Sequence, residues 1–165
     1  MPTPTKPTLR TDRLVLVPQT IDQARALLAG DDPGLDLAPG YPHADTLDGL
    51  GIWVEHGGPE DGGWFVTLAE DGRVVGDCGT HGPADPDGRL EIGYGLAAPS
   101  RGRGLGTEAV RAMADWLAGQ PGVRVLTADV EVANEPSRRL LERLGFTVTG
   151  THEGHWQLER DATPR

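Results

Sequence analysis

The sequence predicts a mixed α/β domain in which a mostly antiparallel sheet of six to seven strands is flanked by about four helices. The chain has 165 residues, a length that fits one domain. In its first half, strand-like segments follow one another across Asp-Gly turn signals, which is typical of antiparallel hairpins. In its second half, strand-like and helix-like segments alternate. Alternation implies crossover connections, and so a pair of parallel strands.

The first half is predicted to contain four strands and two helices. Residues 14–17 are apolar and partly β-branched, so they form the first strand. Thr20 can cap a helix over 21–29, which Gly30 ends. A second helix covers about 44–55. The three remaining strands are joined by turns and cover 64–69, 74–80 and 89–96.

The second half begins with a helix over 104–118, whose apolar side chains recur at the spacing of one helical face. Those side chains are Leu105, Ala109, Ala112, Met113 and Trp116. A strand over 125–130, a helix over 135–144, a strand over 146–151 and a tight last hairpin follow. We therefore expect one domain over residues 9–160, with flexible tails at 1–8 and 161–165.

Acidic residues outnumber basic residues, and this excess limits the classes of partner that the protein can bind. Lys and Arg total 15 and Asp and Glu total 25, which gives a formal charge of −10. A nucleic-acid-binding protein needs a basic face, so no nucleic-acid partner is expected. The charge is compatible with an amine substrate drawn to an acidic cleft, and equally with a role in solubility alone.

Disulfide, metal and membrane classes are not expected either. The single cysteine, Cys78, excludes intramolecular disulfides and paired-cysteine metal sites. His152-x-x-His155 has no third ligand nearby, so no metal is expected. No apolar run is long enough to span a membrane, and no signal peptide is recognised. We therefore expect a cytoplasmic monomer or homodimer.

The stretch Ser-Arg-Gly-Arg-Gly-Leu-Gly-Thr at 100–107 concentrates glycine and positive charge before a helix. The first N–H groups of a helix have no intrahelical partner, and together with the helix dipole they form an anion site. Glycines allow close approach to the backbone, and Arg101 and Arg103 can add charge-assisted hydrogen bonds. The stretch has neither the lysine of a nucleotide-triphosphate loop nor the spacing of a dinucleotide site. It predicts a phosphate-bearing ligand; the alternative is a glycine-rich connection with solvated arginines.

Several motifs resemble those of the GNAT superfamily of N-acetyltransferases. Arg-x-x-Gly-x-Gly at 101–106 matches the family's pyrophosphate motif, (Q/R)xxGx(G/A). Asn-x-x-Ser at 134–137 and Leu-Gly-Phe at 144–146 match its downstream segments. Leu-x-Thr-x-Arg-Leu at 9–14 and Glu-Ile-Gly-Tyr at 91–94 resemble the branch of the ribosomal-protein N-acetyltransferases RimJ and RimL. The resemblance spans almost the whole predicted domain.

This resemblance implies the GNAT fold, with a splayed pair of parallel central strands, and acetyl-coenzyme A as co-substrate without a metal. The pantetheine arm would add to the backbone near 95–97, and Gly93 and Gly95 are expected to form a bulge that frees backbone groups. The implied cofactor-binding residues are Leu96, Ala97, Arg101, Gly102, Arg103, Gly104, Leu105, Gly106, Thr107, Asn134, Ser137 and Arg138. As alternatives, Asn134 serves only as a helix cap and Arg138 pairs only with Glu142.

The resemblance also implies direct acetyl transfer to a primary amine without an acyl-enzyme. Many family members protonate the leaving thiolate with a tyrosine, but this chain has Leu141 at that position. Ser137 or water must then serve. Glu91 and Asp129 are the candidate bases for the amine. Each carboxylate could instead be a surface charge or the partner of an arginine, with water relaying the proton.

The acceptor is left open between a protein or peptide α-amine and a small-molecule amine. Tyr41 and His43 are expected to border its pocket. A coenzyme A-binding sensor without activity is the main alternative function, and a nucleotide-binding regulatory domain is the other.

Overall fold

A computed structural model describes residues 6–58 and 61–162, which form eight strands and four helices. The strands are β1 (Leu9–Arg10), β2 (Leu14–Pro18), β3 (Trp64–Leu68), β4 (Val74–Thr80), β5 (Arg89–Leu96), β6 (Val125–Glu131), β7 (Thr147–His152) and β8 (His155–Asp161). The helices are α1 (Ile21–Ala29), α2 (Ala44–His56), α3 (Leu105–Ala118) and α4 (Glu135–Arg143). The bounds predicted for the four helices and for β2 to β7 agree with these to within one residue. Strand β1 was not predicted, and β8 was predicted only as part of the last hairpin.

All the strands join one sheet, in the order β1-β2-β3-β4-β5-β6-β8-β7. Only β5 and β6 pair in parallel, and the other neighbours are antiparallel. This confirms the predicted fold class. The sheet gains one strand over the prediction because the two-residue β1 pairs at its edge. The crossover through α4 does not add a second parallel pair, because β8 inserts between β6 and β7.

Local capping explains where α1 begins and ends. The Thr20 side chain accepts a hydrogen bond from the N–H of Gln23, and the Gln23 side chain bonds back to the Thr20 N–H. This reciprocal arrangement satisfies two N–H groups that the helix leaves unpaired. Gly30 then adopts a left-handed conformation, with φ of 75°, and ends the helix.

Helices cover both faces of the sheet. Helix α3 packs its buried Leu105, Ala109 and Met113 on one face, as predicted, while Trp116 is partly buried beside them and meets Trp64 edge-on. Helices α1 and α2 cover the other face over β3 and β4, where a second cluster is buried: Ala24, Leu27, Tyr41, Leu50, Trp53, Phe65, Val74 and Ala97. Burying each large apolar side chain stabilises the fold by about 1.5–3 kcal/mol.

Both ends of the described chain make specific contacts. The indole N–H of Trp64 donates to the Pro7 carbonyl at 2.8 Å, and the Lys6 ammonium lies over the Trp64 ring. Ala162 is buried and its N–H donates to Arg124. These contacts extend past the expected domain limits of 9 and 160. The remainder of the expected tails, residues 1–5 and 163–165, lies outside the described residues.

The parallel pair β5 and β6 is short and then opens. It runs only from Arg89 opposite Val125 to Glu91 opposite Thr127. Beyond that point β5 stays paired with β4 as far as Leu96, and β6 stays paired with β8. The two central strands therefore diverge, as the family resemblance implied.

The expected bulge at Gly93 and Gly95 is wrong. Strand β5 keeps one constant register with β4, from Gly76 opposite Leu96 to Thr80 opposite Ile92. A bulge would shift that register by one residue. Backbone groups on this side of β5 are freed by its divergence from β6 instead.

In the described part of the chain, no helix is both long enough and apolar enough to cross a bilayer.

Candidate functional site

A cleft of about 650 Å³ opens where β5 and β6 diverge. Tyr94 and Gly95 of β5 line one side, Asp129 of β6 lines the other, and Asn134 and Ser137 at the start of α4 close one end. The α2 side chains Thr46, Trp53 and Ile52 form a further wall. The divergence thus brings three of the predicted site residues to one cavity.

Two glycines of β5 make room for histidines in this cleft. A Cβ on Gly95 would lie 2.6 Å from Nε2 of His43, and a Cβ on Gly93 would clash with Nε2 of His81. Any side chain at either position would therefore displace an imidazole. This close approach is the physical reason for glycine here. It also places His43 at the cleft, where the sequence analysis expected it.

A buried polar cluster lies behind His43 and was missed from the sequence. The Asp77 carboxylate accepts hydrogen bonds from the Tyr41 hydroxyl at 2.9 Å and from the Thr46 hydroxyl at 2.6 Å. Ring nitrogens of His43 lie 3.2 and 3.3 Å from the Thr46 oxygen. Burial raises the pKa of Asp77, against the opposing effect of the hydrogen bonds from Thr46 and Tyr41. An aspartate inside an otherwise apolar strand was the one sequence signal of this cluster.

The Tyr94 hydroxyl contacts Ser137 in the first turn of α4. Its Oη atom makes a short hydrogen bond with Oγ of Ser137 and lies 3.3 Å from the Ser137 carbonyl oxygen. Burial raises the pKa of Tyr94, so the phenol stays protonated at neutral pH. Leu141 is fully buried in the core. Tyr94 belongs to the Glu-Ile-Gly-Tyr motif at 91–94, but its contact with Ser137 was not predicted, because the two residues are far apart in the chain.

The glycine-rich loop carries a set of unpaired backbone N–H groups. Gly102 and Gly104 have φ of 83° and 78°, in the left-handed region that favours glycine. The first hydrogen bond of α3 runs from the Glu108 N–H to the Gly104 carbonyl at 3.1 Å. Within the described residues, the N–H groups of 102–107 find no acceptor. Their arrangement at a helix start is that of an anion site.

The residues of this loop differ in what they can offer a ligand. Leu105 is buried in the core, so only its N–H faces the helix start. A Cβ on Gly106 would lie 3.2 Å from Leu140 and 3.4 Å from Leu96, so this glycine lets α3 pack closely on α4 and β5. The exposed Arg101 donates from Nε to the Leu96 carbonyl at 3.0 Å. Arg103 and Thr107 flank the same helix start.

Two other predicted contact residues are engaged within the protein. Ala97 is fully buried, and its N–H donates to the Val75 carbonyl at 2.8 Å. The Arg138 guanidinium lies 3.4 Å from Glu142 and 3.9 Å from Glu135, and its carbon is 5.4 Å from the centroid of the Trp156 ring. The Arg138–Glu142 pairing that the sequence analysis weighed is therefore present.

Asn134 acts as the cap of α4. Its Oδ1 accepts a hydrogen bond from the Ser137 N–H at 3.3 Å. The capping role that the sequence predicted is thus observed, and the same residue also lines the cleft.

The two candidate bases lie on the same face of the sheet. Glu91 and Asp129 both border a smaller cavity of about 380 Å³, and Asp129 also lines the main cleft. Glu91 lies 3.9 Å from Nε2 of His81. Asp129 forms no ion pair within the described part of the chain. Of the two, Asp129 is the carboxylate that faces the main cleft.

The main cleft is acidic. Five carboxylates line it: Asp45, Asp61, Asp77, Asp129 and Glu131. Its lining, over the residues that the structure describes, includes histidines but neither lysine nor arginine. Such a surface favours a cationic ligand. Across residues 6–58 and 61–162, histidine, cysteine, aspartate and glutamate side chains form no group of three or more that could hold a metal ion.

Comparison with known families decides the relationship. A family model described as the acetyltransferase (GNAT) domain matches residues 13–147. The chain belongs to the GNAT family. This GNAT protein is an acyl-CoA-dependent acetyltransferase, and its motifs at 101–106 and 134–137 fall inside the matched region.

Individual relatives agree with this assignment. Over 123 residues the GNAT chain is 27% identical to the N-acetyltransferase YjdG of Bacillus subtilis. The aligned region covers 70% of this chain and 73% of YjdG. Among solved structures, RimL in complex with coenzyme A has a TM-score of 0.67 at 16% identity, covering 94% of this chain and 98% of RimL. A chimera of the spermidine N-acetyltransferase SpeG from Vibrio cholerae has a TM-score of 0.66 at 15% identity, covering 90% and 95%. At these identities the two structures show the shared fold.

Proposed function

We propose that this protein transfers the acetyl group of acetyl-coenzyme A directly to a primary amine that enters the acidic cleft. The observation that carries the proposal is the opening between β5 and β6. The hydrogen-bonded hydroxyls of Tyr94 and Ser137 line this opening on the side of β5 and α4, and Asp129 lines it on the side of β6. The unpaired N–H groups of the glycine-rich loop follow directly after β5 along the chain.

The residues of the loop fit the diphosphate of coenzyme A. A Cβ on Gly102 would meet no heavy atom within 4 Å, so the backbone there is open to a ligand. The N–H groups of 102–107 would bind the diphosphate, and Arg101 and Arg103 would add charge. The Asn134 side chain and the backbone near Leu96 would hold the pantetheine arm. Ala97 would contribute packing, since its N–H is already bonded.

Acetyl-coenzyme A supplies an activated acyl group, and the protein has to manage the leaving sulfur. We assign the Ser137 hydroxyl to donate a hydrogen bond to the departing thiolate, with Tyr94 holding that hydroxyl. The C–N bond forms and the C–S bond breaks, and the thiolate takes up a proton from water, either directly or through Ser137, which regains a proton from water as it gives one up. Burial raises the pKa of the Cys78 thiol, so this cysteine is a poor nucleophile. Direct transfer is thereby favoured over an acyl-enzyme.

The amine must lose a proton before it attacks. Asp129 is proposed as its acceptor because it faces the main cleft without an ion-pair partner in the described part of the chain. Glu91 is the second candidate, 3.9 Å from His81, which could relay the proton. The remaining carboxylates of the cleft would attract an ammonium form of the acceptor.

The acceptor is proposed to be a protein or peptide α-amine or a small polyamine. The acidic lining of the cleft fits either class. The structural neighbours include enzymes of both kinds, a ribosomal-protein acetyltransferase and a spermidine acetyltransferase.

Thiol release from acetyl-coenzyme A in the presence of an acceptor panel tests the proposal. The panel contains a peptide with a free N-terminus, the same peptide with a blocked N-terminus and a free lysine, spermidine, and free amino acids. Calorimetric titration with coenzyme A is run alongside. Turnover with one class identifies the acceptor. Binding without turnover across the panel would favour the sensor alternative, and the absence of binding would refute the proposed site.

A further inference from the structure

The Thr-x-Arg-Leu segment at 11–14 contacts the start of α3 through Glu108. The Thr11 hydroxyl donates to Oε2 of Glu108, and the Arg13 N–H donates to the same oxygen at 2.9 Å. Nε of Arg13 donates to Oε1 at 2.8 Å. Three donors from one short segment thus converge on a single carboxylate in the first turn of α3.

The same guanidinium also reaches the glycine-rich loop. Nη1 of Arg13 donates to the Arg103 carbonyl at 2.8 Å. Nη2 lies 3.4 Å from the position that a Cβ on Gly104 would occupy. The planar guanidinium can make both bonds at once because its donors are fixed in a fork, whereas an ammonium is a single point of contact.

This bridge matters because the loop is otherwise weakly constrained. Gly102 and Gly104 bring conformational freedom, and a loop that must be ordered on binding costs affinity. Arg103 sits between them, and its carbonyl is the point that Arg13 holds. Fixing this carbonyl fixes the peptide plane that it shares with the Gly104 N–H.

The bridge also offsets an unfavourable charge. Burial would raise the pKa of Glu108, but the hydrogen bonds from Thr11 and Arg13 outweigh it and the net shift is downward. Glu108 is therefore ionised at neutral pH, one turn from the proposed diphosphate site. The Arg13 guanidinium compensates this negative charge next to an anionic ligand.

We propose that Arg13 is a positioning residue for the diphosphate loop: held by Glu108, it fixes the Arg103–Gly104 peptide so that the loop N–H groups are pre-organised for coenzyme A. The inference rests on the proposed function, because the loop is the proposed diphosphate site. The Thr-x-Arg-Leu segment at 11–14, which was noted in the sequence only as a family-like motif, thereby gains a physical role.

The test compares Arg13→Lys and Arg13→Gln with the wild type. Calorimetry measures the Kd for coenzyme A, and steady-state assays compare acetyl-coenzyme A with S-acetylpantetheine, which lacks the diphosphate. Both variants are expected to raise the Kd for coenzyme A by about tenfold, since each loses hydrogen bonds made by a charged fork. Turnover of S-acetylpantetheine is expected to stay at the wild-type level. A loss of general stability would lower both activities together.

Two further variants serve as controls, one for the loss of a positive charge and one as a milder change to the Glu108 contact. Arg111→Gln removes one positive charge from an exposed position of the same helix and is expected to leave the Kd unchanged. Thr11→Val removes one donor to Glu108 while Arg13 stays in place, so a smaller increase in Kd, about threefold, is expected. It keeps the test usable if the Arg13 variants do not fold.

The outcomes separate the two proposals. A wild-type protein that binds no coenzyme A would refute the proposed function itself. A wild-type protein that binds coenzyme A while Arg13→Lys binds equally well would overturn only the positioning role, because charge alone would then suffice. Equal losses with both thioesters would overturn it as well.

Discussion

Replacing Asp77 tests whether the polar cluster behind the cleft is built around one buried carboxylate. Asp77→Ala removes the acceptor for two hydroxyls that have almost no access to water: Tyr41 is 6% exposed and Thr46 is 4% exposed. A buried donor left without a partner costs about 1–3 kcal/mol. With two such donors, we expect the free energy of unfolding to fall by about 2–6 kcal/mol.

Asp77→Asn should behave differently, because the amide oxygen can still accept both hydrogen bonds while the charge is lost. Burial raises the pKa of Asp77 in the folded state above its value in the unfolded chain. Such a group stabilises the fold fully at pH values below its unfolded pKa, and this contribution is lost as the pH rises through the folded pKa. The asparagine variant does not titrate. Its stability relative to the wild type should therefore increase as the pH rises, by about 1.4 kcal/mol for each unit of upward shift in the pKa.

Urea unfolding of the three proteins between about pH 4 and about pH 8 measures both effects. If Asp77→Ala stays within about 1 kcal/mol of the wild type, the two hydroxyls are not dependent on this carboxylate. If the difference between Asp77→Asn and the wild type does not change with pH, the carboxylate is not held in an unfavourable environment. Either result would refute the reasoning.

Three further predictions concern catalysis. Ser137→Ala should lower kcat by about 10–100-fold with little change in the KM for acetyl-coenzyme A. Tyr94→Phe should lower kcat through the same Ser137 hydroxyl, so the kcat of the double variant should be no lower than that of the more damaged single variant. Additive losses of kcat in steady-state assays would contradict this coupling. Arg101→Glu should raise the KM for acetyl-coenzyme A by about tenfold or more, whereas Arg111→Glu, the same charge change on an exposed part of α3, should not; equal effects would mean that only net charge matters. Asp129→Asn should lower kcat, because an amide cannot accept the proton of the amine; an unchanged kcat in steady-state assays would leave the proton to Glu91 or water.

The fold could be read largely from local signals. Thr20 and Gly30 mark the two ends of α1, and the Asp-Gly turns mark the starts of β4 and β5, because caps and turns depend on a few neighbouring residues. The position of β8 between β6 and β7 could not be read this way. Strand order depends on long-range packing, which leaves no local pattern in the sequence.

The candidate site was predicted less evenly. The loop at 101–107 is a continuous motif, so its residues could be predicted from the sequence as cofactor-binding residues. Their contacts with a ligand stay a prediction. The hydrogen bond between Tyr94 and Ser137 joins residues 43 positions apart, and that between Thr46 and Asp77 joins residues 31 apart. Such contacts follow only from the paired strands and the helices laid over them. The glycines of β5 carried a real signal, but its cause was the bulk of His43 and His81 and not a bulge.

Only three residue pairs join the part of the sheet formed by β1 to β5 to the part formed by β6 to β8. The two walls of the cleft therefore belong to parts of the sheet that share few backbone hydrogen bonds with each other. An extended ligand lying across the opening would contact both parts. Occupancy of the cleft should then slow amide hydrogen exchange in both parts at once, including at strands that the ligand does not touch.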